Sequence, residues 1–148
     1  MSESEYIIEV EGLYKIFGSG ARDKALPLVN NGASKGEVLQ KTGCTVGINN
    51  ASFAIKRREF FVIMGLSGSG KSTVIRCFNR LIEPTAGSIR IDGEDVTKLD
   101  SKGLREVRRK KLGMVFQRFG LLPHRTVIDN VSFGLEIQDI PKEERYKQ

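Results

Sequence analysis

Hydrophobic and polar positions change their period several times along the chain. Tyr6 to Val10 (Tyr-Ile-Ile-Glu-Val) reads as a strand, and Leu13 to Phe17 continues the apolar pattern to a turn at Gly18 to Gly20. From Ala21 to Gly43 the character becomes helical. Ser34 followed by Glu37 makes a capping box, Val38 and Leu39 lie one turn on, and Gly43 closes the segment. Ala25 to Val29 contains Pro27 and predicts a short helix, with a turn at Asn30 to Ala33. The stretch looks like an insertion between strands. Sheet character returns at Thr45 to Ile48 and Ala51 to Ile55, with the charged triplet Lys56 to Arg58 as a turn.

Glu59 to Met64 is a near-continuous apolar run, expected as a strand buried on both faces of a parallel sheet. A glycine-rich loop follows it. Val74, Cys77, Phe78, Leu81 and Ile82 then form one apolar helical stripe, ended by Pro84. Gly87 to Gly93 predicts a strand between glycine turns. Asp100 or Ser101 can cap a basic helix with Leu104 and Val107 facing inward, and Gly113 to Gln117 predicts another buried strand. Val127, Val131 and Leu135 give Val127 to Ile137 helical spacing, and Pro141 can open a last helix. Strands alternating with helices make this an α/β protein.

Composition narrows the class. A chain of 148 residues suits one domain with its own core, and no run approaches the roughly 20 apolar residues of a membrane span. Met1 to Glu5 is acidic and hydroxyl-rich, unlike a secretory signal, so the cytosol is the expected compartment. Cys44 and Cys77 lack CxxC spacing and His124 is the single histidine, which predicts reduced thiols and no zinc. The net charge of +6 permits an anionic partner. Its densest run, Arg105 to Lys111, has no interleaved aromatic side chains for base stacking, so it reads as a solvated helix face and no nucleic acid is expected.

Gly65-Leu66-Ser67-Gly68-Ser69-Gly70-Lys71-Ser72 satisfies G-x-x-x-x-G-K-[ST], and it does so between a predicted strand and a helix, the context that pattern requires. A compact polyanion needs many donors at close range. The three glycines permit backbone angles closed to other residues, so loop N–H groups can converge on phosphate oxygens. The helix N-terminus adds unpaired amides and a dipole of roughly half a positive charge. Lys71 offers a mobile charge to the β- and γ-phosphates, Ser72 a hydroxyl to Mg²⁺, and Thr73 a donor to the α-phosphate. The pattern implies a nucleoside triphosphate, ATP with Mg²⁺.

Together with that loop, extended to Thr73, stand Asn79-Arg-Leu-Ile-Glu-Pro-Thr-Ala-Gly87, Leu104-Arg-Glu-Val-Arg-Arg-Lys-Lys111, Met114-Val-Phe-Gln117 and Leu122-Pro-His-Arg-Thr-Val127. In this ordered set the sequence resembles the ATP-binding subunits of ABC transporters, and among them the quaternary-amine uptake group that imports glycine betaine, proline betaine or proline. The resemblance spans nearly the whole chain. It implies the N-terminal part (1–148) of a single P-loop ATP-binding domain with an N-terminal antiparallel β subdomain, a family-type helical insertion at about 21–43, and the start of a helical subdomain at about 121–148.

Phe17 then matches the aromatic that stacks on adenine, with core packing as its alternative, Tyr14 as a second candidate and Val46 lining the base. Gln117 matches the Q-loop glutamine that reaches Mg²⁺ and the attacking water, which with Lys71 makes the expected catalytic pair. Arg118 to Arg125, with His124 as a surface or groove residue, would form part of the groove that receives a transmembrane permease subunit. The implied partners are that permease, a second ATP-binding subunit and, indirectly, a solute-binding protein. The implied location is cytoplasmic, peripheral on the inner face of the cell membrane.

Four family elements have no counterpart in these residues: a Leu-Ser-Gly-Gly-Gln-like signature, a Walker B strand ending in Asp, the catalytic Glu after it, and a switch His. All four are expected beyond residue 148. Hydrolysis needs a water-positioning group and a firmly placed Mg²⁺, so these 148 residues alone are expected to turn ATP over slowly or not at all. The alternatives are a truncated non-hydrolysing nucleotide-binding module and an ABC ATPase for another small solute. A small P-loop kinase or GTPase is disfavoured by the sheet ahead of the loop and the lack of Asn-Lys-x-Asp. Uncovered strand faces at Phe61 to Met64 and Met114 to Phe116 are expected as well.

Overall fold

Tyr6–Phe17 (β1) forms the spine of an antiparallel sheet in the computed structural model, which describes residues 5–116 and 120–147. β1 is flanked by Thr45–Lys56 (β2) and Ala86–Ile91 (β3), and Glu94–Asp95 (β4) extends the sheet in the order β2-β1-β3-β4. The two predicted pieces on either side of Gly12 are thus one strand, as are those on either side of Asn49. Register shifts absorb the irregularity. β1 slips between Val10 and Leu13, where Gly12 has φ 54°, and Gly87 of β3 approaches so closely that a Cβ there would lie 2.3 Å from the Gly12 carbonyl oxygen. Val10, Leu13, Ile16, Ile89 and Ile91 are buried.

The predicted insertion folds as a π-helical turn (Ala21–Ala25) running into Leu26–Asn30 (α1), followed by Lys35–Thr42 (α2). Its capping box forms: Glu37 N–H donates to Ser34 Oγ at 3.3 Å and Ser34 N–H to Glu37 Oε2 at 2.7 Å. Those bonds hold the Glu37 carboxyl below its ordinary pKa. Gly43 ends α2 in the left-handed region at φ 69°. Ala25, Val29 and Val38 pack with Ile16, Cys44 and Val46, so the insertion braces the ends of β1 and β2.

A polar tie reinforces that brace. Arg22 donates to the Thr85 carbonyl through Nε (3.1 Å) and Nη2 (2.8 Å), while buried Thr85 Oγ1 accepts from Ile16 N–H at 2.9 Å. Thr85→Val keeps the shape and removes the acceptor. It is expected to destabilise the fold by about 1–3 kcal/mol, the cost of an unsatisfied buried amide. An unchanged denaturation midpoint would show that Ile16 N–H has another acceptor.

Lys71–Phe78 (α3) ends earlier than the stripe to Ile82 predicts. Arg80 takes φ 50° and its Nη1 donates to the carbonyls of Val96 (3.1 Å) and Leu99 (2.7 Å), which draws the chain out of the helix. The predicted strand from Glu59 to Met64 does not form. A strand needs a neighbour's N–H and C=O groups, and none of the described strands runs beside this segment, which leaves Phe60, Val62 and Met64 at 99%, 73% and 85% exposure. Phe61 stacks on Phe53 of β2 with ring centroids 5.1 Å apart. Residues 113–116 form no strand either, and Val115 and Phe116 are exposed.

The chain divides into two compact units between Leu99 and Asp100. The second contains Ser101–Lys110 (α4), capped by Asp100 Oδ1 accepting from Gly103 N–H at 2.8 Å, with Leu104 and Val107 buried. The basic run is partly neutralised within the unit: Glu106 pairs with Lys110 (2.9 Å) and Arg109 (3.6 Å), and Arg109 also meets Asp139. The single helix predicted from Val127 to Ile137 is two, Val127–Val131 (α5) and Phe133–Glu136 (α6). Buried Ser132 divides them, its carbonyl accepting from both Leu135 and Glu136 N–H at 3.0 Å. Lys142–Arg145 (α7) follows Pro141.

Candidate functional site

The loop from Gly65 to Gly70 depends on left-handed backbone at three points: Gly65 at φ 152°, Gly68 at 77° and Gly70 at 96°. Ser69 N–H closes a turn on the Leu66 carbonyl at 3.2 Å, and Val74 N–H bonds the Gly70 carbonyl at 2.9 Å, which starts α3. Gly70 has no side chain to cap the helix, so no side-chain oxygen competes for the first-turn amides. Lys71 folds over the loop. Its Nζ donates to the carbonyls of Gly65 (2.6 Å) and Leu66 (2.7 Å) and contacts Ser69 Oγ at 3.4 Å. The ammonium is therefore already held above the loop, on neutral acceptors that anionic oxygens can replace.

A cleft of about 260 Å³ opens beside the loop, lined by Phe17, Thr45, Val46 and Gly47 from the strands and by Gly68 to Thr73. Phe17, Val46 and the second half of the loop, far apart in sequence, thus share one wall. Gly65, Leu66 and Ser67 belong to the loop but do not line the cleft, and the Leu66 side chain is 85% exposed. Tyr14 instead packs against the Ile16 and Val38 cluster. Thr45 and Gly47 are lining residues that the sequence reading missed. A glycine inside a strand signals close backbone approach, and that signal at Gly47 was available.

Ser72 and Thr73 hydroxyls make no hydrogen bond among the described residues, and both line the cleft. An exposed, unengaged hydroxyl in the first turn after the loop suits a hard cation such as Mg²⁺, which takes oxygen ligands and keeps several waters. Gln117, expected to complete this site, lies outside the described residues, as does Arg118. Cys77 faces the core, fully buried, and burial pushes its thiol up to about 11, so it is a packing residue. Among the described residues no cluster of His, Cys, Asp or Glu could hold a metal ion, and His124 is exposed.

The second unit carries an apolar hollow of about 350 Å³ bounded by Leu121, Leu122, Pro123, Arg125, Val127, Asn130 and Val131. Asn130 shapes it by bonding both backbone groups of Leu122: Oδ1 accepts from its N–H at 2.7 Å and Nδ2 donates to its carbonyl at 3.1 Å. Arg125 is fixed on Glu136 at 2.8 Å, which Arg145 also holds at 2.5 Å. The hydroxyls of Thr126 and Tyr146 hold the Asp129 carboxyl down to about 2, so it stays charged at neutral pH. Leu121, Val127 and Val131 are 76%, 82% and 80% exposed around the hollow.

Comparison with known proteins returns a consistent result. The family model described as ABC transporter matches residues 48–148. The glycine betaine transport ATP-binding protein OpuAA of Bacillus subtilis is 53% identical over 100% of this chain and 35% of its own length. The glycine betaine/carnitine transport ATP-binding protein GbuA of Listeria monocytogenes is 57% identical over 95% of this chain and 35% of its own. The glycine betaine/proline betaine transport system ATP-binding protein ProV of Escherichia coli is 54% identical over 93% and 34%. The chain thus spans about a third of the length of these relatives. Among solved structures, the dimeric structure of MJ0796, a bacterial ABC transporter cassette, superposes with a TM-score of 0.72 at 31% identity, covering 95% of this chain and 53% of that one. The same cassette is also known in a post-hydrolysis state bound to ADP and Pi.

Proposed function

Since the chain belongs to the ABC transporter family, we propose that it carries the ATP-binding face of a subunit that couples ATP hydrolysis to import of an osmoprotectant such as glycine betaine or proline. The observation that carries this reading is the cleft in which Phe17 and Val46 stand beside Gly68 to Thr73, a surface for a base next to a cradle for phosphates. The relatives' names supply the solute class, because an ATP-binding subunit does not itself contact the cargo. Base stacking on Phe17 fixes one end of the nucleotide. The loop amides, the α3 N-terminus and Lys71 neutralise the other.

Ser72, with Gln117, would hold Mg²⁺, which supplies charge neutralisation across the β- and γ-phosphates when bound. Gly65, Leu66 and Ser67 would carry the backbone around the phosphates, and Thr73 would donate to the α-phosphate. The hollow around Leu121 to Val131 has the exposed apolar rim expected of the place where the transmembrane permease docks. A second ATP-binding subunit and a solute-binding protein complete the proposed assembly, with this chain peripheral on the cytoplasmic face of the membrane. No helix among the described residues is long and apolar enough to cross a membrane.

The reading is tested by restoring the intact gene with its permease and binding-protein partners to bacteria that lack betaine importers, then following radiolabelled glycine betaine. Uptake under osmotic stress that disappears with Lys71→Ala is expected. Uptake no greater than in cells with empty vector, while the protein accumulates normally, would refute the proposed solute class.

A further inference from the structure

Antiparallel pairing of β1 with β2 places Phe17 opposite Thr45 and Ile16 opposite Val46, yet Lys15 stands opposite Ile48. Gly47 is therefore the extra residue of a bulge, at the point where the strand borders the cleft. Bulges re-aim side chains, and two close approaches show what this one does. A Cβ on Gly47 would lie 2.7 Å from Phe17 Cε2 and 3.4 Å from the Lys15 carbonyl oxygen, so the ring rests directly on the glycine. On its other side the Gly47 carbonyl oxygen comes within 2.4 Å of where a Cβ on Gly70 would be. One residue thus touches both the ring and the phosphate loop.

Lys15 completes the arrangement. Its Nζ sits 4.9 Å from the centroid of the Phe17 ring and is tethered to the Glu83 carbonyl at 2.9 Å, while Lys15 does not line the cleft. With a cation on one face and Gly47 against one edge, the ring offers its remaining surface to the cleft.

We propose that Gly47 is a positioning residue which, with Lys15 on the far side, seats the Phe17 ring at the cleft wall and thereby sets how tightly the site grips the base end of a nucleotide. This rests on the reading of Phe17 as the base platform. Any side chain at Gly47 must turn the ring away, because the phenyl group can rotate whereas the Lys15 backbone cannot. Gly47 does not have the positive φ that demands glycine, so alanine is compatible with the strand itself. The effect falls on the ring.

The experiment compares Mg²⁺-ATP with Mg²⁺-tripolyphosphate by calorimetric titration of the intact protein. Phe17→Ala should weaken ATP by about tenfold or more, the range of lost base stacking, and leave tripolyphosphate unchanged. Gly47→Ala should weaken ATP by about fivefold with tripolyphosphate again unchanged, and the double variant should be no weaker than Phe17→Ala alone. Lys15→Met, which leaves the bulge intact, should lower ATP affinity in the same selective way and carries the test if Gly47→Ala does not fold. If Phe17→Ala is selective but both Gly47→Ala and Lys15→Met bind ATP like wild type, the positioning role falls and the base platform stands. Equal losses for both ligands in Gly47→Ala would assign the glycine to the loop and overturn the proposal. An unaffected Phe17→Ala removes platform and positioning role together.

Discussion

Lys71→Ala is expected to remove most ATP affinity, by about 10- to 100-fold, because one charge-assisted contact is worth about 1.5–3 kcal/mol. The ammonium satisfies itself on the Gly65 and Leu66 carbonyls, at 2.6 and 2.7 Å. A triphosphate would replace these neutral acceptors with anionic ones at short range, so the gain on binding is the difference between the two kinds of bond. Alanine forfeits that difference. It also frees two loop carbonyls, so the loop loses the tether that holds its first half near Ser69. Titration with ATP measures the loss, and Cys77→Ala serves as the contrast. Cys77 lies on the same helix, fully buried and away from the cleft lining, its thiol pushed up to about 11 by burial, and its removal should lower stability while leaving the ATP dissociation constant unchanged. Equal ATP affinity in wild type and Lys71→Ala would overturn the phosphate assignment.

Gly70→Ala should damage both the fold and the site. A left-handed backbone at φ 96° costs an L-residue about 1–2 kcal/mol before any contact is considered. The new Cβ would also lie 2.4 Å from the Gly47 carbonyl oxygen, which belongs to the β2 backbone and cannot swing aside as a side chain could. The loop must lift from the sheet. The expected result is a loss of about 2–4 kcal/mol in chemical denaturation, together with weakened binding of both ATP and tripolyphosphate. Gly68→Ala separates strain from clash, because Gly68 also has positive φ, at 77°, but a Cβ there meets nothing within 4 Å. It should lose only about 1 kcal/mol. If the two alanine variants were equally stable, the contact with Gly47 would carry no weight.

Local chemistry explains which features were legible in the sequence. The capping box of Ser34 and Glu37, the left-handed stop at Gly43 and the Asp100 cap of α4 each need only a few consecutive residues, and each forms as the sequence predicts. The loop from Gly65 to Ser72 has the same character: its glycines and Lys71 act on one another over six residues. Prediction failed where the outcome depends on distant partners. The run from Glu59 to Met64 has the composition of a buried strand, but composition supplies only half of each hydrogen-bond ladder, and the described residues supply no neighbour. Similarly, the apolar stripe of α3 continues to Leu81 and Ile82, but Arg80 finds the carbonyls of Val96 and Leu99 and the helix stops at Phe78.

The sequence by itself determined the phosphate-loop pattern, the helical segment between Phe17 and Thr45, and the family to which the chain belongs. Only the tertiary structure decided that Phe17 reaches that loop, and how. The ring arrives there because β1 and β2 pair antiparallel, because a bulge adds Gly47 to one strand, and because the missing Cβ leaves room for both ring and loop. Sequence specifies each residue's local preference, whereas a contact between Phe17, Gly47 and Gly70 is set by register and close packing, which exist only once the sheet has formed.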